Sequence, residues 1–216
     1  IVMLMPTVFA EMTVTTDQNV YNLGNKIKAS ASIMQPSSFE GLLKLVISCD
    51  SYKLGYFITP ISLEANFRTA AEVPELVAIP SMLGSCIITG TLATNDNVPI
   101  EEKSSSAFGV TRQLTVLPVN SKITAFPGDQ ILVSGIVNNA FGNNVLKAAT
   151  KITLDNNSYT LDSIDGEFNF TLGIPKNIKS GNHDIFIGAS DSKNNFGEAA
   201  ADLEITAVPT ELKIDL

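Results

Sequence analysis

Two cysteines, one histidine, one oxygen-rich loop and two Asn-X-Ser/Thr triplets are the residues of this 216-residue chain whose types and spacing could do chemistry. Cys49 shares parity with Leu43, Leu45 and Ile47 along an alternating run, opposite Lys44 and Ser48. Cys86 shares parity with Ile88, Gly90 and Leu92. Both thiols therefore point into a core, where they either pack as small apolar groups or join each other. They do not make a zinc site, because the chain offers no further Cys and no second His to complete one.

His183 stands beside Asp184, a pairing capable of acid–base work. No Ser or Cys lies in a nucleophile motif around it and no carboxylate pair is recognisable, so it reads as a structural imidazole and no catalytic residue is assigned. The loop DSKNNFGE sets Asp191, Asn195 and Glu198 on one connection. Ca2+ takes roughly 6–8 oxygen ligands, which makes this loop the one cation candidate, although the spacing is not that of an EF-hand. Asp and Asn are equally what tight turns use. No other cofactor is expected. Asn156-Asn157-Ser158 and Asn169-Phe170-Thr171 match the N-glycosylation acceptor pattern. The first lies in a turn. The second lies on a strand where Phe168, Phe170 and Leu172 face inward, which leaves Asn169 in solvent. Leu54, Tyr56, Phe57 and Ile58 form either an exposed apolar patch or the cover of a sheet edge.

The elements that position these residues are strands. No window sustains a 3.6-residue apolar period over a helix length, whereas period-2 alternation recurs throughout. In NKIKASASI, Ile27, Ala29, Ala31 and Ile33 alternate with Lys26, Lys28, Ser30 and Ser32, the pattern of a strand with one dry face. The same reading predicts strands near 12–16, 26–34, 42–49, 54–58, 64–72, 85–93 and 107–117. A second series falls near 121–126, 130–138, 148–154, 158–162, 167–173, 183–189 and 200–207. Turn residues punctuate them at Phe126-Pro127-Gly128-Asp129, Asp155-Asn156-Asn157-Ser158, Asp165-Gly166 and Ser180-Gly181-Asn182. Two series of about seven short strands predict an all-β chain of two tandem antiparallel β-sandwiches.

Composition agrees. The chain is 44% hydrophobic, too apolar for a disordered segment, and its net charge of −8 without clustered Lys or Arg argues against a nucleic-acid partner. The opening run IVMLMPTVFA is apolar and uncharged and ends Val8-Phe9-Ala10, small residues at the places a signal peptidase reads. Residues 1–10 are therefore expected to be the remnant of a signal peptide. The rival readings are a first strand and part of a membrane span completed upstream.

The two strand series resemble each other. LGNKIKASASI aligns with PGDQILVSGIV, so that Gly24 matches Gly128. LGSCIITGTLATND aligns with SGNHDIFIGASDSK, so that Gly84 matches Gly181 and Cys86 matches His183. The closing LEITAVPTELKIDL resembles LTVLPVNSKITAF, which closes the first series and opens the second. This predicts domains at 11–117 and 118–207, with 208–216 a linker and the first strand of a further, truncated domain. A repeat of this length carries its own core, unlike a solenoid repeat.

On YNLGNKIKASASI and FPGDQILVSGIV, on FNFTLGIPKNIKSGNHDIFIGAS and on ASDSKNNFGEAAADLEITAV, the chain resembles the immunoglobulin-like, macroglobulin-flavoured repeats of bacterial and archaeal cell-surface proteins. The second domain fits throughout. The first fits at both ends, with an irregular middle from Tyr52 to Leu83. The tyrosine corner and core Trp of antibody-type domains are absent. The resemblance implies that the third and sixth strands of the first domain are antiparallel neighbours, which would bring Cys49 and Cys86 into disulfide reach in an oxidising compartment. It implies an extracellular or surface location, and a non-catalytic structural or adhesive array held together by short Pro-bearing linkers at Leu117-Pro118-Val119-Asn120 and Ala207-Val208-Pro209-Thr210. Its partners would be other domains of the same chain and surface proteins or glycans, with membrane anchoring only through segments outside this chain. The alternatives are accessory domains of a larger secreted protease or glycan hydrolase, and a carbohydrate- or protein-binding module. Aromatic platforms for sugars are not evident.

Overall fold

Alternation along each strand decides which face is dry, and the computed structural model shows how those faces meet. It describes residues 10–207. The leader reading of 1–10 falls almost wholly, and the third-domain reading of 208–216 wholly, outside the described residues. Among those described there is no α-helix, and hence none long and apolar enough to cross a membrane. The chain forms two compact units that divide between Thr111 and Arg112.

The first unit holds β1 (Glu11–Thr16), β2 (Val20–Asn22), β3 (Lys26–Ile27), β4 (Ala29–Met34), β5 (Phe39–Cys49), β6 (Tyr52–Leu63), β7 (Arg68–Ala71), β8 (Leu76–Val77), β9 (Gly84–Ala93), β10 (Pro99–Ser104) and β11 (Phe108–Thr111). One sheet has the order β1-β4-β7. The other has the order β2-β11-β9-β5-β6, with β10 also on β9, and β3 pairs with β8 separately. Between the layers, Leu43, Leu45 and Ile47 of β5 and Ile88 and Leu92 of β9 meet Met12, Val14, Ala31 and Ile33, all buried. Tyr21 closes the core edge-on against Phe108, with ring centroids 5.5 Å apart. Each of the Val, Leu, Ile, Met and Phe side chains among them, removed from water, stabilises the fold by about 1.5–3 kcal/mol.

The second unit holds β12 (Thr115–Pro118), β13 (Lys122–Ala125), β14 (Gln130–Asn138), β15 (Lys147–Leu154), β16 (Asn157–Ile164), β17 (Glu167–Gly173), β18 (Gly181–Ser190) and β19 (Phe196–Ile205). Its pairing runs β12-β14-β17-β16-β15-β18-β19-β13. The core is Val133, Val137, Ile152, Leu154, Phe168, Leu172, Ile185, Ile187, Leu203 and Ile205 with their buried neighbours. β16 pairs with β15 along its whole length but meets β17 only at Ile164–Glu167, so it joins the two layers at one end.

The two units repeat one topology. β1 pairs antiparallel with β4, then β2 lies parallel to β11. In the same way β12 pairs antiparallel with β14, then β13 lies parallel to β19. In each unit the opening strand thus breaks and changes layer, which puts two parallel pairs into sandwiches expected to be antiparallel throughout. The aligned glycines occupy equivalent backbone. Gly24 and Gly128 have φ of 83° and 93°, and Gly84 and Gly181 have 114° and 125°, left-handed values that favour Gly.

Three expectations are corrected. The run 107–117 is two strands, β11 in the first unit and β12 in the second. Phe108, Val110, Leu114 and Val116 are all buried, so apolar parity continues across the break and hides it. Residues Leu117–Asn120 are accordingly no linker between domains. They carry the crossing from β12 to β13, with Leu117 opposite Ile136 and Pro118 opposite Gly135. The irregular middle of the first domain contains the longest strand among the described residues, the twelve-residue β6. Its alternation is masked because β6 carries one extra residue against β5: Phe57 faces Leu45 but Gly55 faces Val46, leaving Tyr56 as a bulge.

Candidate functional site

Cys49 ends β5 and Cys86 lies near the start of β9, directly opposite in register. Their sulfurs are bonded, with an S–S distance of 2.01 Å and 37 residues between them in sequence. Both are buried, and Cys86 Sγ also lies 3.2 Å from the carbonyl oxygen of Met82.

The corresponding end of the second unit carries the one polar depression with a histidine. Asp155 and Asn156 form the turn after β15, and Pro175, Ile178 and Lys179 form the loop before β18. Together with His183 they line an open depression of about 590 Å³. His183 is 17% exposed at its side chain and is tied on both sides. Nδ1 lies 3.2 Å from Asp155 Oδ1, and Nε2 lies 2.8 Å from the carbonyl oxygen of Lys179. Two acceptors face the two ring nitrogens, an arrangement that only the doubly protonated ring satisfies in full. The Lys179 carbonyl accordingly raises the His183 pKa above its ordinary value, partial burial opposes this, and the Asp155 carboxylate adds to the rise. The carboxylate partner is Asp155, not the sequence neighbour Asp184. Strand alternation turns Asp184 to the solvent face, opposite Asp202 on β19. The signal for this partner is present in the sequence, since Asp155 opens the turn that ends the third strand of its series, as Cys49 ends β5.

The loop 191–198 is ordered from within. Asp191 Oδ1 accepts from the backbone N–H of Lys193 (2.8 Å) and of Asn195 (3.0 Å), and Oδ2 accepts from Asn195 Nδ2 (2.7 Å). Asn195 is 1% exposed. Glu198 lies on β19 opposite Gly188 and lines a different depression, with Lys151, Thr153 and Phe186. The structure thus brings Asp191 and Asn195 together and sets Glu198 on the sheet face. Among the described residues no three His, Cys, Asp or Glu side chains are gathered as metal ligands would be.

Asn156 and Asn169 are both exposed. Asn156 lines the His183 depression, and Asn169 sits on the outer face of β17 opposite Ser134 of β14. Of the apolar group in β6, Leu54, Tyr56 and Phe57 pack against the core, whereas Ile58 is 60% exposed. Burial pushes the Tyr56 phenol up to about 12, and its hydroxyl has no hydrogen-bond partner.

The repeated layer order, with a broken first strand that ends parallel to the last, is that of immunoglobulin-like β-sandwiches. No family description matches the sequence, and no curated protein matches it. Solved structures similar to the chain include one described as concerning host-cell surface retention of a 1.5-MDa bacterial ice-binding adhesin. It is 11% identical with a TM-score of 0.35, over 92% of this chain and 65% of that one. A Salmonella alpha-2-macroglobulin is 11% identical with a TM-score of 0.35, over 91% of this chain and 16% of that one. The Yersinia pseudotuberculosis adhesin InvE is 10% identical with a TM-score of 0.31, over 89% of this chain and 58% of that one. The chain thus spans less than two thirds of each of these structures.

Proposed function

We propose that this chain is a pair of tandem immunoglobulin-like modules that act as a non-catalytic spacer and interaction scaffold within a longer, exported surface protein. The observation that carries the reading is the repetition of one topology in two units, each with its own buried core. The disulfide suits an oxidising compartment.

The topology also gives such an array a way to bear load. The opening strand of each unit lies parallel to its closing strand, β2 beside β11 and β13 beside β19. A pull on the two ends of the chain draws parallel neighbours in opposite directions. Their hydrogen bonds are then loaded together in shear, not opened one at a time. Loops at the ends of the sandwiches remain free to meet a partner.

The test is exposure of the full-length protein on its source cells. Antibody raised to the two-unit chain should label intact cells, and external protease should remove the label. Labelling only after the cells are opened would overturn the reading.

A further inference from the structure

The outer edge of β6 is the longest open edge of the first unit among the described residues. β6 ends its sheet and pairs only with β5, and among the described residues no strand lies on its other side. Edges of this kind are usually short, charged or covered. This one runs twelve residues, YKLGYFITPISL, with Lys53 its single charge, and is roughly 40 Å long at about 3.4 Å per residue.

The main chain tells which groups face out. Pro60 lies opposite Leu42. A proline keeps its place in a ladder only with its nitrogen turned away from the neighbour. Pro60 therefore faces the open side, as do Ile58 and Ser62 with the same parity. Beyond the extra residue Tyr56, Gly55 and Lys53 do so.

We infer that this edge pairs with the β6 edge of a second copy of the chain, antiparallel about a two-fold axis at Ile58. Ile58 then meets Ile58 of the other copy, and Phe57 meets Thr59. The bulge places Gly55 and Tyr56 together against Pro60. Beyond it Leu54 meets Ile61, Lys53 meets Ser62 and Tyr52 meets Leu63. Every pair lies on a matching sheet face, because both strands carry the bulge at symmetric places. The single charge meets a hydroxyl and not its own copy, so no like charges oppose each other. The donor that Pro60 lacks falls at the bulge, where the ladder is interrupted anyway. A strand of different sequence would have to reproduce this offset bulge, whereas a second copy brings it. The two six-strand sheets become one continuous sheet by strand addition. The inference does not depend on the functional reading above.

Cross-linking tests it, because both native cysteines are already bonded. The chain with Ile58→Cys, an exposed position, should be captured as a covalent dimer by a short bismaleimide. Lys53→Cys alone should not be captured, since the two copies of that position lie roughly 30 Å apart along the paired strands. Mixed with a Ser62→Cys chain, it should be. Sedimentation of the unmodified chain should show a monomer–dimer equilibrium that Ile58→Lys shifts to monomer. A monomer at every concentration overturns the proposal and leaves the edge to a strand of another protein. Equal capture of Ile58→Cys and Lys53→Cys overturns it as well.

Discussion

His183 stands in the second unit where Cys86 stands in the first, and each is tied to the end of the strand paired beside its own, β5 in one unit and β15 in the other. Cys86 is bonded to Cys49 at the end of β5. His183 contacts Asp155, one residue beyond the end of β15. One fold thus closes the same corner by a covalent link in one copy and by a titratable contact in the other.

The link in the first unit acts mainly on the unfolded chain. Closing 37 residues contributes ~4 kcal/mol in the chain-entropy account. Replacing Cys49 and Cys86 together by Ser should lower the stability of the first unit by up to that amount, and leave the unfolding transition of the second in place. In single-molecule pulling, reduction should lengthen the unfolding step of the first unit by roughly 120–130 Å, the extended length of the released loop. An unchanged step length would show that the bond is not present.

The contact in the second unit makes stability depend on pH. The folded state raises the His183 pKa, chiefly through the Lys179 carbonyl and then through Asp155. The stabilisation is complete below the unfolded-state value of about 6.5 and disappears as pH rises through the raised folded-state value. The groups facing the ring are Asp155 and the Lys179 carbonyl, while Asp184, turned to the other face of the strand, adds a smaller charge effect in the same direction. The melting temperature of the second unit should therefore fall as pH rises through this window, and His183→Gln should flatten that part of the profile. A profile unchanged by the substitution would sink the assignment.

The Asp191 carboxylate holds its turn by accepting three hydrogen bonds, two of them from the buried Asn195. Asp191→Ala removes these acceptors and should cost about 1–3 kcal/mol. Since the carboxylate is occupied within the turn, adding Ca2+ or a chelator should leave the melting temperature of the native chain where it is. A rise on Ca2+ addition that Asp191→Ala abolishes would instead establish the loop as a calcium site.

Of two glycines of the same sheet, one should resist substitution and the other tolerate it. A β-carbon on Gly197 would overlap the carbonyl of Leu114, whereas one on Gly188 would meet nothing. The segment Arg112–Leu114 is fastened here to β19, with Leu114 N–H donating to the Phe196 carbonyl and Phe196 N–H donating to that of Arg112. Gly197→Ala should destabilise the second unit by about 1–3 kcal/mol. Gly188→Ala should change it by no more than about 0.5 kcal/mol. Chemical denaturation of the two variants measures both.

What the sequence determined by itself is what alternation and turn chemistry carry along the chain. The inward parity of Cys49, Cys86 and His183 was legible, as was the all-β class. So were the repeat, read from Gly24 against Gly128 and Gly84 against Gly181, and the turns that only Gly, Asn and Asp allow. The tertiary structure alone decided how far-separated strands meet. It broke 107–117 between two units although apolar parity runs through the break. It laid β13 parallel to β19, gave His183 the distant Asp155 in place of its neighbour Asp184, and left β6 open along one side. The physical reason is that side-chain alternation is a local property of an extended backbone, whereas register, layer and exposed edge are set by pairing between segments tens of residues apart.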